Sequence, residues 1–185
     1  LESLSKEEIL KLVNIRYAIS LNSYQKYIAT TIAEDVCDNT VADIMENMES
    51  GKAMNRLLQG DVGSGKTAVA STALYKACKS GYQAAFMAPT EILAKQHFDG
   101  LKDNFERAGL KTVLLSGGLK AKEKREALEL IKSGEANIVI GTHALIQKGV
   151  EYKNLGLVVT DEQHRFGVNQ RVLLSEKGQN PHILV

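Results

Sequence analysis

Gly60-Asp61-Val62-Gly63-Ser64-Gly65-Lys66-Thr67 is the segment whose residue types and spacing most directly imply chemistry: it fits the phosphate-binding loop pattern. Glycines at 63 and 65 let backbone N–H groups turn inward on phosphate oxygens, and the helix expected to follow adds the partial positive charge of its N-terminus. Gly60, Val62, Gly63, Ser64 and Gly65 are the backbone candidates for this cradle. Lys66 would reach the β and γ phosphates, and Thr67 would offer its hydroxyl to Mg²⁺. Average composition gives a chance match on the order of one per cent in a chain of this length, so the pattern is specific.

A loop of this kind needs an acidic metal anchor at the end of another strand. Leu157-Val158-Val159-Thr160-Asp161-Glu162 supplies one. Asp161 would hold Mg²⁺ directly or through water, and Glu162 is placed to polarise an attacking water as general base. An apolar run ending in Asp-Glu is weak evidence alone, and it gains weight only from the loop upstream.

These residues require a scaffold that brings strand ends together. From residue 54 onward, short apolar runs at Met54–Gln59, Ala84–Ala88, Thr112–Leu115, Ile138–Ile140 and Leu155–Thr160 alternate with helical composition at Lys66–Ser80, Glu91–Ala108 and Leu119–Ser133. The runs are apolar at successive positions, as expected for a mainly parallel sheet with helices on both faces. Gly81, Gly109 and Gly134 fit helix C-termini. The chain ends on another apolar run, His182–Val185, which reads as an unfinished strand. Together with the missing initial Met, this suggests a C-terminally truncated piece of a longer protein.

The first 50 residues differ in kind, with helical patterns around Lys6–Ala18 and Tyr24–Met48, Asn22 or Ser23 able to cap the second, and Asp38-Asn39-Thr40 able to break it. Met48–Lys52 reads as a connector. We therefore expect an N-terminal helical segment at 1–50 and an α/β domain at 51–185. Residues 1–50 carry four basic and nine acidic side chains (−5) and residues 51–185 nineteen and thirteen (+6), a modest excess that permits nucleic-acid binding without arguing for it. No apolar run suits a membrane span and the N-terminus lacks secretory-signal character, so the cytoplasm is expected. Cys37 and Cys78 lack metal-ligand spacing and read as ordinary thiols; His97 and His182 read as ordinary histidines.

Asp161-Glu162-Gln163-His164-Arg165-Phe166-Gly167-Val168, taken with Leu57-Leu58-Gln59 and the loop at 60–67, resembles the RecG family of superfamily-two helicases. Mfd-like and PriA-like translocases share the architecture, but Mfd-like sequences generally carry a second acidic residue after Asp-Glu, where this chain has Gln163-His164. The resemblance runs from about Gln25 to the C-terminus and implies a RecA-like motor domain. It implies that Met87-Ala88-Pro89-Thr90-Glu91 is a helicase motif whose Pro89 and Thr90 touch the DNA backbone, joined by Gly117 and Gly118 and by Thr142 and His143. Unaided, each reads equally as a strand-to-helix turn, though Gly, Ser and Thr there suit phosphate contacts. Gln163 and His164 are implied to couple the nucleotide site to DNA and to a second motor domain.

Gln25 resembles the glutamine that reads the adenine edge, since an amide donates and accepts at once. The family usually has Thr three residues earlier, where Asn22 stands, and a surface glutamine remains the alternative. Tyr17 reads as an adenine-stacking residue or as a structural tyrosine; Arg165 and Arg171 read as DNA contacts, fold supports or partners of acidic neighbours. The resemblance implies an ATP- and Mg²⁺-dependent DNA helicase or translocase that remodels branched DNA and stalled forks in repair and recombination. Its second RecA-like domain and a wedge domain would lie outside this chain, leaving the piece monomeric and weak or inactive as a motor. Two other classes stay open, a nucleotide-dependent switch and a structural domain with a degenerate loop. No Asn-Lys-x-Asp guanine motif supports the first, and intact Lys66, Thr67 and Asp161 count against the second.

Overall fold

A computed structural model describes residues 38–49, 53–58, 65–161, 177–178 and 181–185. Its elements, in chain order, are α1 (Asp38–Glu49), β1 (Asn55–Arg56), α2 (Lys66–Lys79), β2 (Gln83–Met87), α3 (Glu91–Arg107), β3 (Thr112–Leu115), α4 (Ala121–Ser133), β4 (Ile138–Gly141), a 3-10 turn (His143–Ile146), β5 (Leu155–Thr160) and β6 (His182–Leu184). The strands form one six-stranded sheet in the order β1-β6-β5-β2-β4-β3. Every strand pairing among the described residues is parallel.

Alternate residues of each apolar strand serve opposite faces, which is why the strands read as unbroken runs. Ala84 and Phe86 of β2, Ile138 and Ile140 of β4, and Leu157 and Val159 of β5 join one core with Val41 and Ile44 of α1, Val69 and Leu74 of α2, and Leu101 and Phe105 of α3. Ala85, Met87, Val139 and Val158 face the other side, against Ala127 and Ile131 of α4. Complete burial of a side chain such as Leu157 contributes about 1.5–3 kcal/mol, so the two central layers dominate stability.

The parallel αβ expectation is met, and Thr112–Leu115 and Leu155–Thr160 have the expected bounds. Gly81, Gly109 and Gly134 adopt φ values of 87°, 76° and 82° just after α2, α3 and α4. The terminal run does form a strand, and β6 enters the sheet between β1 and β5. Two local expectations differ. α1 covers Asp38–Glu49 and so runs through the start of the expected connector; whether the expected helix breaks at Asp38-Asn39-Thr40 lies outside the described residues. Among the described residues the expected first strand contracts to Asn55–Arg56, both exposed and paired with β6 alone.

Gln83 anchors the opposite end of the sheet from the strand C-termini. Its Nε2 donates to Ile131 O (3.0 Å) and Ala136 O (2.8 Å), while its Oε1 accepts from Lys153 N (2.8 Å) and Asn154 N (3.1 Å). One buried amide thus ties the end of α4 and the lead-ins to β4 and β5 to the start of β2. Cys78 is also buried, with Sγ 3.4 Å from Asn137 O, and burial pushes its thiol up to about 12. Among the described residues no helix is long and apolar enough to cross a membrane.

Candidate functional site

A helix that returns from a parallel strand begins at the C-terminal edge of the sheet, and ligands of open α/β sheets bind along that edge. α2 packs across β2 and β5, and its start faces that edge. Gly65 precedes it with φ 85° and ψ 12°, a left-handed conformation that glycine adopts without the Cβ clash other residues incur. Lys66 is the first helical residue, Thr67 the second, and Ala68 N and Val69 N close the first turn on Gly65 O. Thr67 is exposed and Lys66 half-buried. Gly60, Val62, Gly63 and Ser64 lie outside the described residues, as do Gln25, Tyr17, Glu162, Gln163, His164, Arg165 and Arg171.

Asp161 follows β5 directly, and its N–H donates to Met87 O at 2.9 Å, which fixes it beside the end of β2. Its carboxylate meets a residue to which the sequence assigned no role: His97 Nε2 of α3 lies 3.0 Å from Asp161 Oδ2. The His97 ring also stands 4.6 Å from that of Phe86, tilted by 50°. One signal could have found His97. Ala94, Leu101 and Phe105 are the buried face of α3, and His97 falls on the same helical face.

The remaining candidates occupy the next three strand ends along the edge, β2, β4 and β3. Thr90, half-buried beside Pro89, caps α3, its Oγ1 accepting from Leu93 N at 3.2 Å. Gly117 and Gly118 are exposed after β3, and Gly118 N donates to a carboxylate oxygen of Glu91 at 2.8 Å. Glu91 therefore ties the start of α3 to the 117–118 turn, with its charge at a helix N-terminus where a carboxylate is favoured. Thr142 is buried and precedes the 3-10 turn that begins at the half-buried His143. Lateral hydrogen bonds join the whole row, Ala88 N to Gly141 O at 2.8 Å and Thr142 N to Leu115 O at 3.4 Å. Lys66, Thr67 and Asp161 thus share one edge with Pro89, Thr90, Gly117, Gly118, Thr142 and His143.

The oxygen donors at this edge, a Thr67 hydroxyl and an Asp161 carboxylate, suit a hard divalent cation. Among the described residues no group of three or more His, Cys, Asp or Glu could hold a metal.

A family model for DEAD/DEAH box helicases matches residues 34–180. The ATP-dependent DNA helicase RecG of Streptococcus pneumoniae is 60% identical over 148 residues, 80% of this chain and 22% of that protein. RecG of Bacillus subtilis is 58% identical over 142 residues, 77% of this chain and 21% of the relative. Among solved structures, RecG bound to a three-way DNA junction aligns with a TM-score of 0.72 at 38% identity, over 97% of this chain and 25% of that one. The chain therefore spans about a fifth to a quarter of the length of these relatives.

Proposed function

The chain belongs to the DEAD/DEAH box helicase family, and from that premise we propose that it is the ATP-binding first motor domain of a RecG-type DNA helicase. The observation that carries this reading is the shared edge. The start of α2 and Asp161 belong to this edge, and the 89–91, 141–143 and 117–118 turns follow on the next strands, hydrogen-bonded to one another.

In this reading Lys66 and the N–H groups of the preceding loop, from Gly60 through Val62, Gly63, Ser64 and Gly65, bind the triphosphate. Thr67 and Asp161 hold a magnesium ion, which when bound neutralises charge on the phosphate oxygens. Glu162 orients and deprotonates the attacking water. Gln25 receives the adenine edge, and Gln163 and His164 link the nucleotide site to DNA and to a second motor domain. Pro89, Thr90, Gly117, Gly118, Thr142 and His143 contact sugar and phosphate, which positions DNA without reading its sequence.

The activity proposed for the complete protein is ATP-driven remodelling of branched DNA and stalled forks in the bacterial cytoplasm. A wedge domain and a second RecA-like domain would complete the machine, the latter supplying an arginine to the transferring phosphoryl group. The test is ATP hydrolysis by the complete protein with and without branched DNA over a salt series, beside a Lys66→Ala variant. Expected are stimulation by DNA, loss of that stimulation as salt rises, and near-absence of turnover in the variant. Hydrolysis indifferent to DNA and equal in the variant would contradict the proposal.

A further inference from the structure

The contact between His97 and Asp161 joins two elements far apart in sequence, and its setting differs from that of a solvated ion pair. A carboxylate offers only acceptors, so the imidazole donates its Nε2–H to Oδ2 over 3.0 Å. The His97 side chain is 17% exposed and that of Asp161 35%, against 63% and 57% for the Lys95 and Asp99 pair on the same helix. On its other side the ring meets Phe86, which is 3% exposed and fixed in β2. The imidazole is therefore braced by the sheet core and carried on a 17-residue helix, and few rotamers remain to it. The Asp161 main chain is fixed as well, through its N–H to Met87 O at 2.9 Å. With the backbone held by β2 and one carboxylate oxygen held by α3, the side-chain torsion of Asp161 is set from two directions.

Resting on the reading of Asp161 as the metal anchor, we propose that His97 is a positioning residue that fixes the orientation of the Asp161 carboxylate for a divalent cation. Hydrogen bonds to a ligating carboxylate remove its rotational freedom before the cation arrives, and losing such a partner lowers metal affinity or activity by about 10–100-fold. The imidazole suits this position because a rigid ring can pack against Phe86 while presenting one N–H to the carboxylate.

The test is Mn²⁺ binding to the complete protein with a non-hydrolysable ATP analogue, read from the paramagnetic resonance of free Mn²⁺. His97→Phe keeps an aromatic ring against Phe86 and removes the donor; its Kd for Mn²⁺ is expected to rise about 10–100-fold. Binding of the analogue in EDTA should stay at the parental level. His97→Gln restores an N–H near the position of Nε2 and is expected to recover most of the affinity. Parental Mn²⁺ affinity in His97→Phe, or no recovery in His97→Gln, would overturn the proposal. Should His97→Phe fail to fold, the comparison passes to His97→Gln and His97→Asn, whose donor is one methylene shorter. A parental Gln variant with a weakened Asn variant supports positioning; equal affinities refute it. A parent with no nucleotide-dependent Mn²⁺ site would instead refute the reading of Asp161 on which the inference rests.

Discussion

Replacing Gln83 by Leu removes four hydrogen bonds with little change in side-chain volume. Two of the partners, Ile131 O and Ala136 O, are bonded in a buried setting, and two, Lys153 N and Asn154 N, in a partly buried one. Leaving a buried backbone group unsatisfied costs about 1–3 kcal/mol. Ile131 O also accepts from Gly134 N, and water can reach the two amides, so those costs fall toward the low end. Leucine in turn contributes apolar burial where Gln83 is 4% exposed, which offsets part of the loss. The sum comes to about 2–4 kcal/mol, a large share of a typical domain stability of about 5–15 kcal/mol. For a chain of this size it corresponds to a lower Tm by about 4–16 °C. Urea and thermal unfolding of this chain, followed by circular dichroism, would measure it. Because Gln83 stands at the start of β2, the fraction that stays folded should bind nucleotide with parental affinity. A loss below about 1 kcal/mol would refute the argument that this amide ties α4, β4 and β5 together.

Three further outcomes follow from the same structure. A Cβ at Gly141 would clash with the backbone oxygen of Leu115, so Gly141→Ala should force β3 and β4 apart, cost about 1–3 kcal/mol in a melt, and weaken DNA binding more than nucleotide binding. With its thiol pushed up to about 12, Cys78 should resist a disulfide reagent at pH 8 in a Cys37→Ser background until the chain unfolds; rapid labelling of the folded chain would contradict its burial. Met54 N donates to His182 Nδ1 at 3.0 Å, which requires that nitrogen unprotonated, and burial lowers the His182 value from 6.5. Its stabilising contribution is complete above about pH 6.5 and is lost as pH falls through the lowered folded value, so urea midpoints should drop on acidification less in His182→Asn than in the parent.

Much of the scaffold was legible because parallel strands buried on both faces leave unbroken apolar runs, and Ala84 through Met87 divide between two cores residue by residue. Helix ends were legible through glycine, at Gly81, Gly109 and Gly134. The order of strands was not: β6 comes last in the chain yet lies between β1 and β5, and no local pattern encodes that placement. The loop at 60–67 and the strand ending in Asp161 stood out because their chemistry is local. His97 did not, since its partner lies 64 residues away and only the sheet brings them together. Glu91 was visible as part of a motif, but its bond to Gly118 N required the fold.

Titration of a fluorescent ATP analogue against this chain and its Lys66→Ala variant, with and without Mg²⁺, tests the central claim most directly. Saturable binding that requires Mg²⁺, yields to ATP more readily than to GTP and weakens in the variant is the result expected of a helicase motor domain with Lys66 at the head of α2. Binding that is equal in parent and variant and indifferent to Mg²⁺ would contradict it.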